Sequence, residues 1–162
     1  TDNFIKTFNP AEEDNYKKLR KYLDGGVIYN CGPIDAEKDG KYEFVSAGTT
    51  TSIREEPYED GIIEKMGVRG IIGKGGMGAR TQQACQQYGC VYLHAIGGAA
   101  QVLAECITRV RNVFFLNEFG SPEAMWELEV QRFPVVVTMD AHGNSLHREI
   151  FAASKAELAK RL

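Results

Sequence analysis

The sequence predicts an α/β fold: one domain on a mixed, largely parallel sheet with flanking helices. Two observations predict it. Between residues 57 and 116, short β-branched or apolar runs alternate with helix-length segments. Glycines mark the joints, with 17 in the chain gathered in short patches. A length of 162 residues at 43% hydrophobic content suits one domain with its own core.

The elements follow in order. Residues 1–9 are polar. Asn9-Pro10-Ala11-Glu12-Glu13 reads as a helix start, with a cap residue, proline at the first helical position and acids at the positive end of the dipole. Tyr16, Leu19 and Leu23 form its apolar stripe, and Asp24-Gly25-Gly26 stops it. A short strand over 27–29 is expected to end at Gly32-Pro33. The turn 38–41 leads into a strand over 42–45. A helix over 57–66 ends at Gly67, and a strand over 68–72 breaks at Gly73-Lys74-Gly75-Gly76. A helix over 79–88 stops at Gly89, and a strand covers 90–96. Gly97-Gly98 opens a helix expected to run through Ile107, and a strand is expected over 113–116. The alternation at 126–130 and the apolar run at 134–138 read as two more strands. The turn 140–144 is expected to lead into a further short strand, and Ser154 to cap a last helix reaching Leu162.

Composition excludes several classes. The net charge of -3 argues against a general nucleic-acid binder. No apolar run approaches the roughly 18 residues of a membrane span. No basic-then-apolar leader opens the chain, so no signal peptide is expected. Cys31, Cys85, Cys90 and Cys106 are scattered without a C-x-x-C pair. They read as reduced thiols of a cytoplasmic protein, and no metal site is expected on this chain.

Four constellations could carry chemistry. Ala47-Gly48-Thr49-Thr50-Thr51-Ser52-Ile53-Arg54 sets four hydroxyls and an arginine behind a glycine. It can grip a carboxylate or phosphate, or serve as a turn whose hydroxyls cap the next helix. Gly73-Lys74-Gly75-Gly76-Met77-Gly78 joins a strand to a helix, where anions bind in α/β proteins. It lacks the Ser/Thr of a Walker A loop, and Lys74 is its candidate clamp. His94-Ala95-Ile96-Gly97-Gly98 offers either free helix amides or close helix–strand packing, with His94 more simply a core histidine. Asp140, His142 and Asn144 read as turn residues before they read as an acid–base site. Glu118, Glu123, Glu127 and Glu129 around Trp126 read as a solvated or interface face. The pattern implies a small anionic ligand and stops short of a reaction.

Taken in order, five segments carry a resemblance. They are S-A-G-T-T-T-S-I-R, G-V-R-G-I-I-G-K-G-G-M-G, Y-G-C-V-Y-L-H-A-I-G-G-A-A, E-A-M-W-E-L-E-V-Q-R-F-P and D-A-H-G-N. Together they resemble the β subunit, or C-terminal domain, of iron–sulfur class I fumarate hydratases, and the β subunit of L(+)-tartrate dehydratases. The resemblance implies a swivelling β/β/α domain. It implies reversible hydration of fumarate to L-malate, or loss of water from tartrate. It implies a [4Fe–4S] cluster held by a cluster-bearing α subunit or N-terminal domain, a C4 dicarboxylate substrate and an oligomeric enzyme inactive without that partner.

The family's G-P-T-T-x-x-R motif falls on Gly48 to Arg54. By resemblance, Thr50 is the proton-abstracting base, Arg54 and Lys74 hold substrate carboxylate, and Gly48, Thr49 and Thr51 complete the binding loop. Thr49 stands where the motif has proline, and Glu55 where it has methionine. The resemblance also implies an upstream R-D-x-x-H-type segment with a further substrate arginine. Residues 1–22 contain none and read as a helical extension, with the family domain expected over 23–162. The departures leave open a non-catalytic partner domain that kept the fold.

Overall fold

A computed structural model describes residues 13–49 and 51–161. The chain runs α1 (Glu13–Leu23), β1 (Val27–Tyr29), β2 (Cys31–Lys38), β3 (Lys41–Thr49), a 3-10 turn (Ser52–Glu55) and α2 (Glu56–Met66). It continues β4 (Gly70–Gly73), α3 (Ala79–Tyr88), β5 (Val91–Ala95), α4 (Ala100–Glu105) and β6 (Ile107–Phe114). It ends α5 (Leu116–Phe119), β7 (Met125–Val130), β8 (Val135–Met139) and α6 (Leu146–Ala159).

The central sheet has the order β1-β4-β5-β8. β1, β4 and β5 are parallel, with Tyr29 opposite Ile72 and Gly73 opposite His94. β8 joins β5 antiparallel, so the sheet is mixed. Alternate side chains on these strands face opposite sides and build two cores. Ile71 and Tyr92 pack with Ile62, Ile63 and Met66 of α2 and with Cys85 of α3. Ile72 and Ala95 pack with Ala47 of β3 and with Leu103 and Ala104 of α4. Tyr92, Ile63, Met66, Ile71 and Leu103 are fully buried. Each such apolar side chain stabilises by about 1.5–3 kcal/mol.

Glycine ends two helices where the sequence places it. Gly67 (φ 70) and Gly89 (φ 69) are left-handed and donate to Ile63 O and Cys85 O. Two two-stranded hairpins, β2–β3 and β6–β7, flank the sheet. They meet through rings: Tyr42 and Phe44 of β3 stand edge-on to Trp126 of β7, at 5.1 and 5.3 Å. Trp126 Nε1 donates to Ser121 O at 3.1 Å.

Five local expectations need correction. Gly32-Pro33 does not end strand structure, because the chain enters β2 and Pro33 pairs with Ala47. A two-stranded hairpin has two edges, where a missing N–H is tolerated. The helix after Gly98 stops at Glu105, and Ile107, Thr108, Val110 and Val113 form β6. Their branched side chains favour a strand over a helix. The strand expected over 113–116 is the end of β6, since Phe115 is left-handed (φ 61) and α5 follows. After the turn 140–144, a single bridge links Met139 to Ser145 and α6 begins at once. Ser145 is its cap, its Oγ accepting from Arg148 N at 3.3 Å, and Ser154 lies inside the helix. Among the described residues, no helix is long and apolar enough to cross a membrane.

Candidate active site

Parallel pairing brings the carboxyl ends of β1, β4 and β5 to one edge of the sheet. Ligands of open α/β sheets bind at such an edge. The chain after β3 crosses this edge. Thr51 bridges to Lys74, Lys74 N donates to Ser52 Oγ at 2.8 Å, and Ser52 N reaches Lys74 O at 3.5 Å. Two glycines let further backbone close in. A Cβ on Gly48 would lie 3.3 Å from Ala100 Cβ, and one on Gly97 would lie 3.1 Å from Lys74 Cδ. Three loops separated in sequence thus meet around Lys74.

The expected site residues divide between two places. Gly48, Thr51 and Lys74 meet in this cluster, with Thr51 exposed and Lys74 half-buried. Thr49 ends β3, and Thr50 lies outside the described residues. Arg54 is exposed on the 3-10 turn. It lines a cleft of about 650 Å³ with Tyr29, Asn30, Glu55, Trp126 and Phe133. Lys74 is not among that cleft's described lining residues. Glu55, standing where the motif has methionine, is buried.

The amino end of α3 is not the open anion site that the glycine-rich loop suggested. The Glu56 carboxylate fills it, accepting from Gly78 N at 2.7 Å, Arg80 N at 2.9 Å and Thr81 Oγ1 at 2.7 Å. A carboxylate there complements the helix dipole and satisfies amides with no intrahelical partner. A Cβ on Gly78 would overlap this carboxylate. Lys74, half-buried on the same loop, takes no part in this closure.

Asn30 and Glu59 emerge only in three dimensions. Asn30 follows the end of β1, lines the Arg54 cleft and donates from Nδ2 to Glu59 Oε2 at 3.3 Å. Glu59 is fully buried, and burial pushes its carboxyl up to about 7. The Asn30 bond opposes that shift and the Glu55 charge adds to it. The sequence signal was the spacing 59, 62, 63 and 66, which puts Glu59 on the apolar face of α2.

The remaining candidates have plainer roles. Asp140 Oδ1 accepts from the amides of His142 and Asn144, both at 2.9 Å, and Asn144 Nδ2 donates to Oδ2 at 2.8 Å. This is a turn closed on itself. The four cysteines are free, with Cys85 and Cys90 buried. Burial pushes the Cys31 thiol up to about 12, which disfavours the thiolate a metal needs. Among the described residues, no group of three or more His, Cys, Asp or Glu could hold a metal ion.

Comparison with known proteins identifies the family of the chain. The family model described as Fumarase C-terminus matches residues 10–150. The chain is 54% identical over 139 residues to a Geobacillus stearothermophilus protein named "Putative fumarate hydratase class I", covering 85% of this chain and 27% of that protein. It is 44% identical to a Methanocaldococcus jannaschii protein named "Putative L(+)-tartrate dehydratase subunit beta", covering 83% of this chain and 69% of the relative. It is 35% identical to the L(+)-tartrate dehydratase subunit beta of Escherichia coli, covering 86% and 71%. The chain thus spans about a quarter of the class I protein and about two thirds of the β subunits. It belongs to the fumarase C-terminus family.

Proposed function

We propose that this chain supplies one side of a hydro-lyase active site that reversibly hydrates fumarate to L-malate. The observation that carries the reading is the meeting of the 48–54, 73–76 and 97–100 loops around Lys74 at the carboxyl edge of the parallel strands. A C4 dicarboxylate has two carboxylates to hold. The Lys74 ammonium, on a stem laid across Gly97, binds one as a point charge. Arg54, at the rim of the neighbouring cleft, binds the other through its planar fork. Gly48, Thr49 and Thr51 shape the loop between them.

The C–H next to a carboxylate is a very weak acid. Its removal from malate builds negative charge on that carboxylate, and fixed cations stabilise it. Thr50 is the proposed base. A hydroxyl acts so only where nearby cations lower its pKa.

The residues here do not fit an iron–sulfur cluster, because the cysteines are buried or scattered. The reading therefore assigns the [4Fe–4S] cluster to an α subunit or N-terminal domain that completes the pocket. An assembly with that partner is the active form. Four free cysteines fit a reducing, cytoplasmic setting.

A second reading is an L(+)-tartrate dehydratase β subunit. The relatives so named, 44% and 35% identical to this chain, support it. The test is anaerobic assembly with the cluster-bearing partner, followed by rates on fumarate and on L(+)-tartrate. Activity on fumarate supports the first reading and activity on tartrate alone the second. Inactivity of a fully assembled, cluster-loaded complex on both overturns the hydro-lyase assignment.

A further inference from the structure

The loop that carries Lys74 rests on a layer of three rings. Tyr92 and His94 are alternate residues of β5 and face one side of the sheet. His147, in the first turn of α6, lies against both. Its ring is 5.8 Å from that of His94 at 25°, and 6.5 Å from that of Tyr92 at 64°. The loop touches this layer at two points. A Cβ on Gly73 would overlap Tyr92 Oη and Ser52 Oγ, and a Cβ on Gly76 would lie 3.2 Å from His147 Cγ. Lys74 sits between these two glycines.

We propose that His94 and His147 are positioning residues for Lys74, their stacked rings holding the 73–76 loop at the height from which its ammonium reaches a bound carboxylate. The inference rests on the reading of Lys74 as a substrate clamp. Neither histidine touches the substrate. His147 acts at the backbone of Gly76, where an added Cβ would stand 3.2 Å from its ring, and His94 acts through His147.

The surroundings of the stack favour an uncharged His147 ring. His147 Nε2 is buried without a hydrogen-bond partner. Burial, and then the charge of His94, hold His147 below the usual histidine range. From β5 the titratable neighbours are His94 and Tyr92, with buried Glu59 acting on Tyr92 from α2. From α6, Arg148 turns to Gln82 Oε1 and Gly143 O, both at 3.4 Å. From the turn before α6, Asp140 is engaged by its own amides. From the loop itself, Lys74 lies toward Gly97. Protonating the His147 ring sets a charge in this buried layer, which parts the stack and frees the loop.

Two measurements test this. NMR of the 162-residue chain, titrated from about pH 8 to about pH 5, follows the His147 ring, the Gly76 amide and the Lys74 side chain. The Gly76 and Lys74 signals are expected to move with the His147 midpoint, and to lose that transition in His147→Phe, which keeps a ring without the titration. In the assembled enzyme, His147→Ala is expected to lower kcat/KM by about ten-fold or more. His147→Phe is expected to flatten the acid limb of the pH profile. Gly76 and Lys74 signals that ignore His147, or an acid limb unchanged in His147→Phe, overturn the proposal. Should the assembled wild type lack hydratase activity, the functional reading fails and the NMR titration still decides this one.

Discussion

The Glu56 carboxylate and the Gly78 amide, 22 residues apart in sequence, close the amino end of α3 with a 2.7 Å bond. The same carboxylate takes Arg80 N and Thr81 Oγ1. One side chain thus fastens the start of α2 to the start of α3. It also occupies the helix terminus beside the Lys74 loop.

Removing that carboxylate tests its structural role. Glu56→Ala leaves partly buried donors unsatisfied, and a charged hydrogen-bonding group of this kind is worth about 1.5–3 kcal/mol. Glu56→Gln keeps an acceptor and is expected to lose less. Thermal melts should rank wild type above Gln and Gln above Ala, with the Ala variant several degrees lower. Equal melting temperatures would show that water replaces the carboxylate at no cost.

Gly97 is a test of approach rather than of backbone freedom. Its φ lies outside the left-handed region, so Gly97→Ala adds little strain. The new methyl would stand 3.1 Å from Lys74 Cδ and displace the stem. The expected outcome is a kcat/KM of the assembled enzyme lowered about ten-fold or more, with a nearly unchanged melting temperature. Wild-type kinetics in this variant would detach Lys74 from the site.

Glu59 makes stability depend on pH. Its carboxyl titrates near 7 when folded, against 4.5 for an unperturbed glutamate. The folded state therefore holds the proton more tightly. The stabilisation is complete below the unfolded value and is lost as pH rises through about 7. The swing is roughly 3 kcal/mol at most. Glu59→Gln keeps an acceptor for Asn30 and carries no titrating proton. Its melting temperature should fall less between about pH 5 and about pH 8 than that of the wild type. Parallel pH curves for the two proteins would place the titration elsewhere.

The sequence carried local punctuation well and long-range direction poorly. Gly67 and Gly89 end helices because only a residue without a Cβ takes the left-handed cap freely. The three glycine loops were legible as strand-end features; the parallel β4–β5 pairing brings two of them to one edge, and the Thr51–Lys74 bridge adds the third. The sequence pointed to Ser154 as the cap of the last helix, and the structure has Ser145 instead. What separates them is that the backbone of Ser145 is extended (φ -143), while Ser154 lies mid-helix. The Glu56 closure joins residues from two helices, and no local spacing encodes it. Arg54 and Lys74 were legible as basic residues of two strand-end loops, but the direction in which a 3-10 turn sends a side chain is not written in spacing. That direction puts Arg54 at the neighbouring cleft. His147 was passed over because its partner, His94, comes from a strand 53 residues earlier.

Lys74, on a loop held by Ser52 and lying against Gly97, is the proposed clamp for a dicarboxylate in an active site shared with a cluster-bearing partner. The direct measurement is the fumarate hydration rate of the anaerobically assembled complex, wild type against Lys74→Ala, with assembly and cluster content matched. The expected result is an active wild type and a loss of about 10²–10³ in kcat/KM for the variant, the scale of removing one preorganised charge-stabilising group. A Lys74→Ala complex as fast as the wild type would contradict it.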